Sequence, residues 1–201
     1  MGRLILIRHG ETSKNYNGKI HDSFDPEELN NNGIVQIQKT ANRIKEYKPI
    51  IVYCSKERRA VQSANIISTK LGVQLKEIDG LHERNWGKFS GRPWSEIQAI
   101  LDPLSLEERY TYVPPEGESW QSFETRLNIT IDSILDKHQN ETVAVVTHGG
   151  VIRVLMPHLL QVSKEESFKY NPTNASITVF ERDNGHLKSV MIDNTEHLIE
   201  M

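Results

Sequence analysis

A single cysteine, Cys54, stands among the 201 residues. It rules out an internal disulfide and fits a reducing compartment. Apolar runs are short, and none approaches the roughly 20 residues of a membrane-spanning helix. Neither sign of charge dominates: 24 Lys and Arg stand against 27 Asp and Glu, a net charge of −3. No basic surface is implied, so neither nucleic acid nor an anionic membrane is an expected partner. The first residues lead straight into a strand-like run, so no signal peptide is expected and the location is read as cytoplasmic. Eight histidines are present, yet none lies in His-Glu-x-x-His or a similar ligand spacing, and no metal site is expected. No Gly-x-x-x-x-Gly-Lys-Ser/Thr or Gly-x-Gly-x-x-Gly loop follows a strand, and no cofactor is expected. Internal repeats and low-complexity linkers are lacking too. What remains, at 37% hydrophobic and 25% charged residues, is a soluble globular chain long enough for one sizeable core. One domain spanning 1–201 is expected.

Three β-branched apolar runs stand out: Leu4 to Ile7, Ile50 to Tyr53 and Thr142 to Val146. None alternates with polar residues, so each reads as a strand covered on both faces, as in a parallel sheet. Helical stripes lie between them: Ile34, Ile37, Ala41 and Ile44 within Gly33 to Tyr47, and Val61, Ala64, Ile67 and Leu71 within Arg58 to Leu71, with Gly72 as a stop. Ser119 to His138 and Gly150 to Leu160 read as two more helices, the second weakened near its end by Pro157. Near the C-terminus a strand, an Asn184-Gly185 turn and a second strand are expected. The stretch 84–117 is rich in Gly and Pro and reads as an inserted lid. The expected fold is a three-layer α/β/α sandwich with a mainly parallel central sheet, the lid lying over the carboxyl ends of the strands.

Each core strand ends in chemistry. The first ends in Arg8-His9-Gly10, the second in the segment from Cys54 to Arg59, the third in Thr147-His148-Gly149-Gly150. In open α/β sheets ligands bind outside the carboxyl ends of the strands. If these ends converge, they bring together histidines, arginines and two helix N-termini, a concentration of positive charge suited to phosphate or carboxylate. Neutral imidazole beside a phosphate is a candidate nucleophile. Arg8 and His9 point to opposite faces of an extended strand, so they meet only if the backbone turns there, a role assigned to Gly10.

Arg8-His9-Gly10-Glu11-Thr12 with Asn15, Ser55-x-x-x-Arg59-Ala60-x-x-Ser63-Ala64, "LHERNWG" around Glu83, "PPEGES", the segment around His148 and the "DNTEHL" ending resemble, in order, the motifs of the histidine phosphatase superfamily, also called phosphoglycerate mutase-like. The resemblance implies metal-free catalysis in two half-reactions. His9 would take the phosphoryl group, Arg8, Arg59 and His148 would clamp its oxygens, and Glu83 would serve as general acid and then base. Thr12, Asn15, Gly149 and Arg84 are the expected substrate contacts, and a small phosphorylated metabolite is the expected partner. The lid residues Arg84, Trp86, Lys88, Phe89, Trp94 and Tyr110 are candidates to touch the leaving group. The sequence leaves the oligomeric state open, a homodimer included.

A cysteine phosphatase would need Cys-x5-Arg, but the sixth residue after Cys54 is Ala60. A catalytically silent interaction module is the alternative outside enzymes, and every mapped catalytic position is intact. A cofactor-dependent phosphoglycerate mutase is the nearer alternative. Such mutases carry a lysine and a paired Arg-Arg in the lid and tend to have His-Gly-Asn at the last strand. Here the stretch after the acid segment reads Arg92-Pro93-Trp94, the later insertion has Arg109 alone among acids, and the strand end reads His148-Gly149-Gly150. A phosphatase is therefore favoured.

Overall fold

Alternation within one strand sets the architecture. The structure, a computed structural model, describes residues 2–21, 25–183 and 186–199. In β1 (Arg3–Arg8) Leu4 and Leu6 join one hydrophobic cluster and Ile5 and Ile7 the other, all four buried. β2 (Ile51–Ser55) and β4 (Thr142–Thr147) divide their residues in the same way. One face is covered by α2 (Asn31–Ile44) and α3 (Arg58–Leu71), through Ile37, Ala41, Ile44, Ala64 and Ile67. The other is covered by α6 (Trp120–Lys137) and α7 (Gly149–Leu160), through Phe123, Leu127, Val151 and Leu155 among others. The result is the three-layer arrangement, a strand buried on both faces being the reason its sequence does not alternate.

The sheet order is β3-β2-β4-β1-β5-β6, with β3 spanning Gln74–Ile78, β5 Ile177–Asp183 and β6 His186–Asn194. β1 to β4 are mutually parallel, while β5 runs antiparallel to both of its neighbours. β4 therefore lies between β1 and β2, and the three motif-bearing ends are neighbours. α3 begins and ends where the sequence predicts, with Gly72 left-handed at φ 68° as its cap. Pro157 stays inside the last turn of α7. The hairpin of β5 and β6 forms as expected, and its Asn184-Gly185 turn lies outside the described residues.

One element was missed and one boundary needs correction. β3 was not foreseen, because an edge strand with partly exposed residues carries no apolar run. Ile50 is half-exposed and lies outside β2. At Gly10, where the chain leaves β1, φ is not positive. What requires glycine there is packing: a Cβ would overlap the Gly33 carbonyl group of α2 and stand 2.9 Å from Ile37 Cγ1. The lid contains α4 (Trp94–Leu101) and α5 (Leu106–Thr111) and has a small core of its own, Trp86, Phe89 and Ile97. Among the described residues, no helix is long and apolar enough to cross a membrane.

Candidate active site

His9 follows the last residue of β1 and continues its ladder, its N–H donating to Thr147 O at 2.9 Å. The imidazole is buried. Nδ1–H donates to the Gly10 carbonyl at 2.7 Å, which leaves the lone pair on Nε2. Arg59 Nε–H points at that nitrogen from 3.3 Å. Burial, then the charge of Arg59 and the nearby His148 and Arg8, hold the His9 pKa well below its usual value. His9 is thus a neutral imidazole in the tautomer a nucleophile requires.

Arg8 donates through Nη1 to Pro172 O at 2.6 Å, and burial pulls its pKa down to about 10. The Gly149 backbone passes close to this guanidinium, where a Cβ would stand 3.2 Å from Arg8 Nε. Arg59 comes from the first turn of α3, and His148 from the residue preceding α7, its ring centroid 5.2 Å from that of His9. Burial, outweighing the attraction of Glu57, lowers the His148 pKa. Arg8 Nε, Arg59 Nη1 and His148 Nδ1 are all buried with no hydrogen-bond partner in the protein. An unmatched buried donor costs about 1–3 kcal/mol, more when charged. Two such donors, Arg8 Nε–H and Arg59 Nη1–H, beside one imidazole and the open His148 Nδ1, describe a receptor for an anion with several oxygens.

Glu83 reaches this cluster from the loop after β3. Its Oε2 accepts the Gly150 N–H at 2.9 Å, at the start of α7, and its Oε1 accepts the Arg84 N–H, also at 2.9 Å. The loop is anchored by Arg126 of α6, which donates to the Gly80 and His82 carbonyls. Thr147 Oγ1 also donates to Leu81 O, tying the loop to the end of β4.

Thr12 and Asn15 form the capping box of α1 (Ser13–Tyr16). Asn15 Oδ1 accepts from Asn174 Nδ2 at 3.1 Å, and Asn174 Nδ2 also donates to His9 O, so this pair braces the turn after His9. Arg84 is buried, bonded to Glu118 O and Tyr112 O, and lies 4.3 Å from the Trp86 ring. With Trp86, Trp94, Arg109, Arg153 and Phe168 it lines a cavity of about 170 Å³. Phe89 packs inside the lid, Lys88 pairs with Glu116, and Tyr110 bonds Glu124.

Sequence reasoning missed four residues here. Glu57 is buried against His148, Arg59 and the Glu83 backbone. His21 stands 6.0 Å from the His9 ring, its pKa drawn down to about 3 by burial and then by Arg59. Asn174 holds the turn, and Arg153 carries charge into the cavity. Among the described residues, no group of three His, Cys, Asp or Glu is placed to hold a metal ion.

The family model of the histidine phosphatase superfamily (branch 1) matches residues 4–195. The chain belongs to this superfamily. Within the histidine phosphatases it is 33% identical to phosphoglycerate mutase-like protein 4 of Arabidopsis thaliana over 98% of this chain and 87% of that protein. It is 33% identical to a metal-independent phosphoserine phosphatase of the same plant, over 88% of this chain and 74% of that protein. A phosphoserine phosphatase mutant from Entamoeba histolytica, solved in complex with phosphoserine, superposes with a TM-score of 0.83 at 29% identity, over 99% and 100% of the two chains. The protein is accordingly an enzyme, a phosphomonoester hydrolase of the histidine phosphatase type.

Proposed function

We propose that turnover runs through a phosphohistidine on His9. The carrying observation is the set of three unpartnered buried nitrogens, Arg8 Nε, Arg59 Nη1 and His148 Nδ1, on residues that surround a neutral imidazole whose Nε2 lies 3.3 Å from Arg59 Nε. In the first half-reaction Nε2 attacks phosphorus, the ester P–O bond breaks, and the Glu83 carboxyl group gives its proton to the leaving oxygen. In the second, the Glu83 carboxylate takes a proton from water, whose oxygen attacks the phosphohistidine and releases inorganic phosphate. The arginines and His148 supply the positive charge that a metal would otherwise bring. Cytoplasmic action suits the lone thiol, Cys54, which burial pushes up to about 12 and so keeps unreactive.

The cavity lined by Arg84, the residue after Glu83, supports a substrate class. Arg84, Arg109 and Arg153 line it with one acid, Asp102. That excess of positive charge suits a small phosphomonoester whose leaving group carries its own anion, as phosphoserine does. The same arginines are the specific observation in favour of the mutase reading, because they could retain a phosphorylated product. Against it, the paired Arg-Arg of such mutases is lacking from the stretch 84–117.

The test is to mix enzyme with labelled substrate and quench without acid. An acid-labile, base-stable adduct is expected, absent together with activity in His9→Ala. An adduct that survives in that variant would overturn the assignment.

A further inference from the structure

Glu57 occupies the N-cap position of α3 but caps nothing with its side chain. The carboxylate turns inward and is buried. One oxygen, Oε2, gathers three donors: His148 Nε2–H at 2.7 Å, Arg59 Nη2–H at 2.8 Å and the Glu83 N–H at 3.3 Å. Ser55 Oγ stands 2.9 Å from the same His148 nitrogen and accepts the Glu57 N–H at 3.2 Å. Glu57 therefore touches the electrostatic clamp, the second histidine and the backbone of the proposed acid at once.

This geometry dictates the state of His148. With Nε2–H committed to Glu57, a neutral ring carries its lone pair on Nδ1, the buried nitrogen that has no partner. A lone pair there would repel a phosphoryl oxygen. Nδ1 can donate to that oxygen only when the ring is an imidazolium. We infer that Glu57 is a positioning residue that makes His148 take up a proton as the phosphoryl group binds, while it aims Arg59 at the same group. The inference rests on reading the pocket as a phosphoryl site.

The charged and titratable groups facing His148 are Glu57 and Arg59 at the start of α3, Glu83 from the loop after β3, His9 at the end of β1, and His21. Arg59 opposes protonation, Glu57 and Glu83 favour it, and burial keeps the free ring neutral near pH 7. Burial disfavours ionisation of Glu57, but His148, Arg59 and the Glu83 N–H outweigh it and hold the carboxyl well below the usual range. An arriving dianion adds the remaining attraction. Sulfate is a suitable probe, since it does not itself titrate near neutrality.

Long-range 15N–1H spectra of the histidine rings at pH 7.5 provide the test, with His148 assigned by its loss in His148→Ala. Free protein should show His148 as the Nε2–H tautomer, and saturating sulfate should convert it to the imidazolium. In Glu57→Gln, which keeps an acceptor but removes the charge, the ring should stay neutral with sulfate bound, and sulfate affinity should fall about tenfold or more. Glu57→Asp should restore the imidazolium. A purely structural Glu57 would leave the sulfate-bound spectrum of the glutamine variant unchanged, which would overturn the inference. So would wild-type His148 remaining neutral with sulfate bound, a result that needs no variant to fold. Failure of sulfate to perturb any of the site histidines would instead remove the phosphoryl site, and the inference with it.

Discussion

Gly150→Ala should disable Glu83 without harming the fold. A Cβ built at Gly150 would stand 2.9 Å from the Glu83 carboxyl carbon and 3.0 Å from Oε2, and would overlap Oε1. Ordinary contact begins near 3.4 Å. The carboxyl group must therefore retreat by about 1 Å at Oε1, a displacement on the scale that costs ~10²-fold in rate when it affects a reacting group. The colliding atoms are the tip of a flexible side chain, so the structural penalty is small. Position 150 is helical with negative φ, and alanine there is favoured over glycine by up to about 1 kcal/mol. Stability should consequently hold or rise slightly. In single-turnover measurements, an alkyl phosphate, whose leaving oxygen needs a proton, should lose ~10- to 100-fold in the phosphorylation step. An aryl phosphate with a low-pKa leaving group should lose much less. Phosphate inhibition should be nearly unchanged, because Arg8, Arg59 and His148 are undisturbed. Retention of the alkyl phosphate rate within about threefold would refute the reasoning, since Glu83 would then not act from the place where α7 holds it. Equal losses on both substrates would refute it too, by showing that the damage extends to the clamp.

Three further outcomes are expected. Activity should survive EDTA, and loss on chelation with rescue by a divalent ion would point to a metal-dependent reaction instead. Stability should fall on acidification from about pH 6.5: His9 and His21 bind protons less readily folded than unfolded, so the unfolded state gains protons first, by about 1.4 kcal/mol per pH unit for each group. For His21 the loss continues down to about pH 3; denaturant midpoints measured across this range would check the sign. Phosphate release should outrun interconversion of 2- and 3-phosphoglycerate, even with 2,3-bisphosphoglycerate added, in assays run side by side; the reverse order would favour the mutase.

The phosphoryl side of the site was legible because it is built from strand ends. β1, β2 and β4 declare themselves as unbroken apolar runs, and the residues just past each run are brought together by the sheet order alone. β3 lacks that signal, since it pairs on one side and exposes much of its length. Glu57 was illegible for another reason. An acid at a helix N-terminus is ordinarily a solvated charge that complements the dipole, and only the inward turn of the side chain, toward His148, reveals its role. Gly10 was read only as the place where the chain turns; its contact with Gly33 of α2, a residue 23 positions away, follows from no local pattern. Thr12 and Asn15 were expected as substrate contacts, yet their side chains are engaged in a helix cap and in bracing the turn.

The leaving-group side is assembled differently, which explains why the sequence says so little about substrate. Its cavity draws Arg84, Trp86 and Trp94 from the first part of the lid, Arg109 from α5, Trp120 from the start of α6, Arg153 from α7 and Phe168 from the segment beyond it. Each of these taken singly reads as a surface charge or a packing aromatic. Only folding brings them together, and none of them hydrogen-bonds to His9, Arg8, Arg59 or His148. The two halves meet at Glu83, held by Gly150 on the phosphoryl side and bonded through its own carboxyl group to the Arg84 backbone on the other. Under the proposed mechanism, substitutions in the cavity should change which ester is hydrolysed while Arg8, Arg59 and His148 stay undisturbed, provided the Glu83 carboxyl group keeps its place between them.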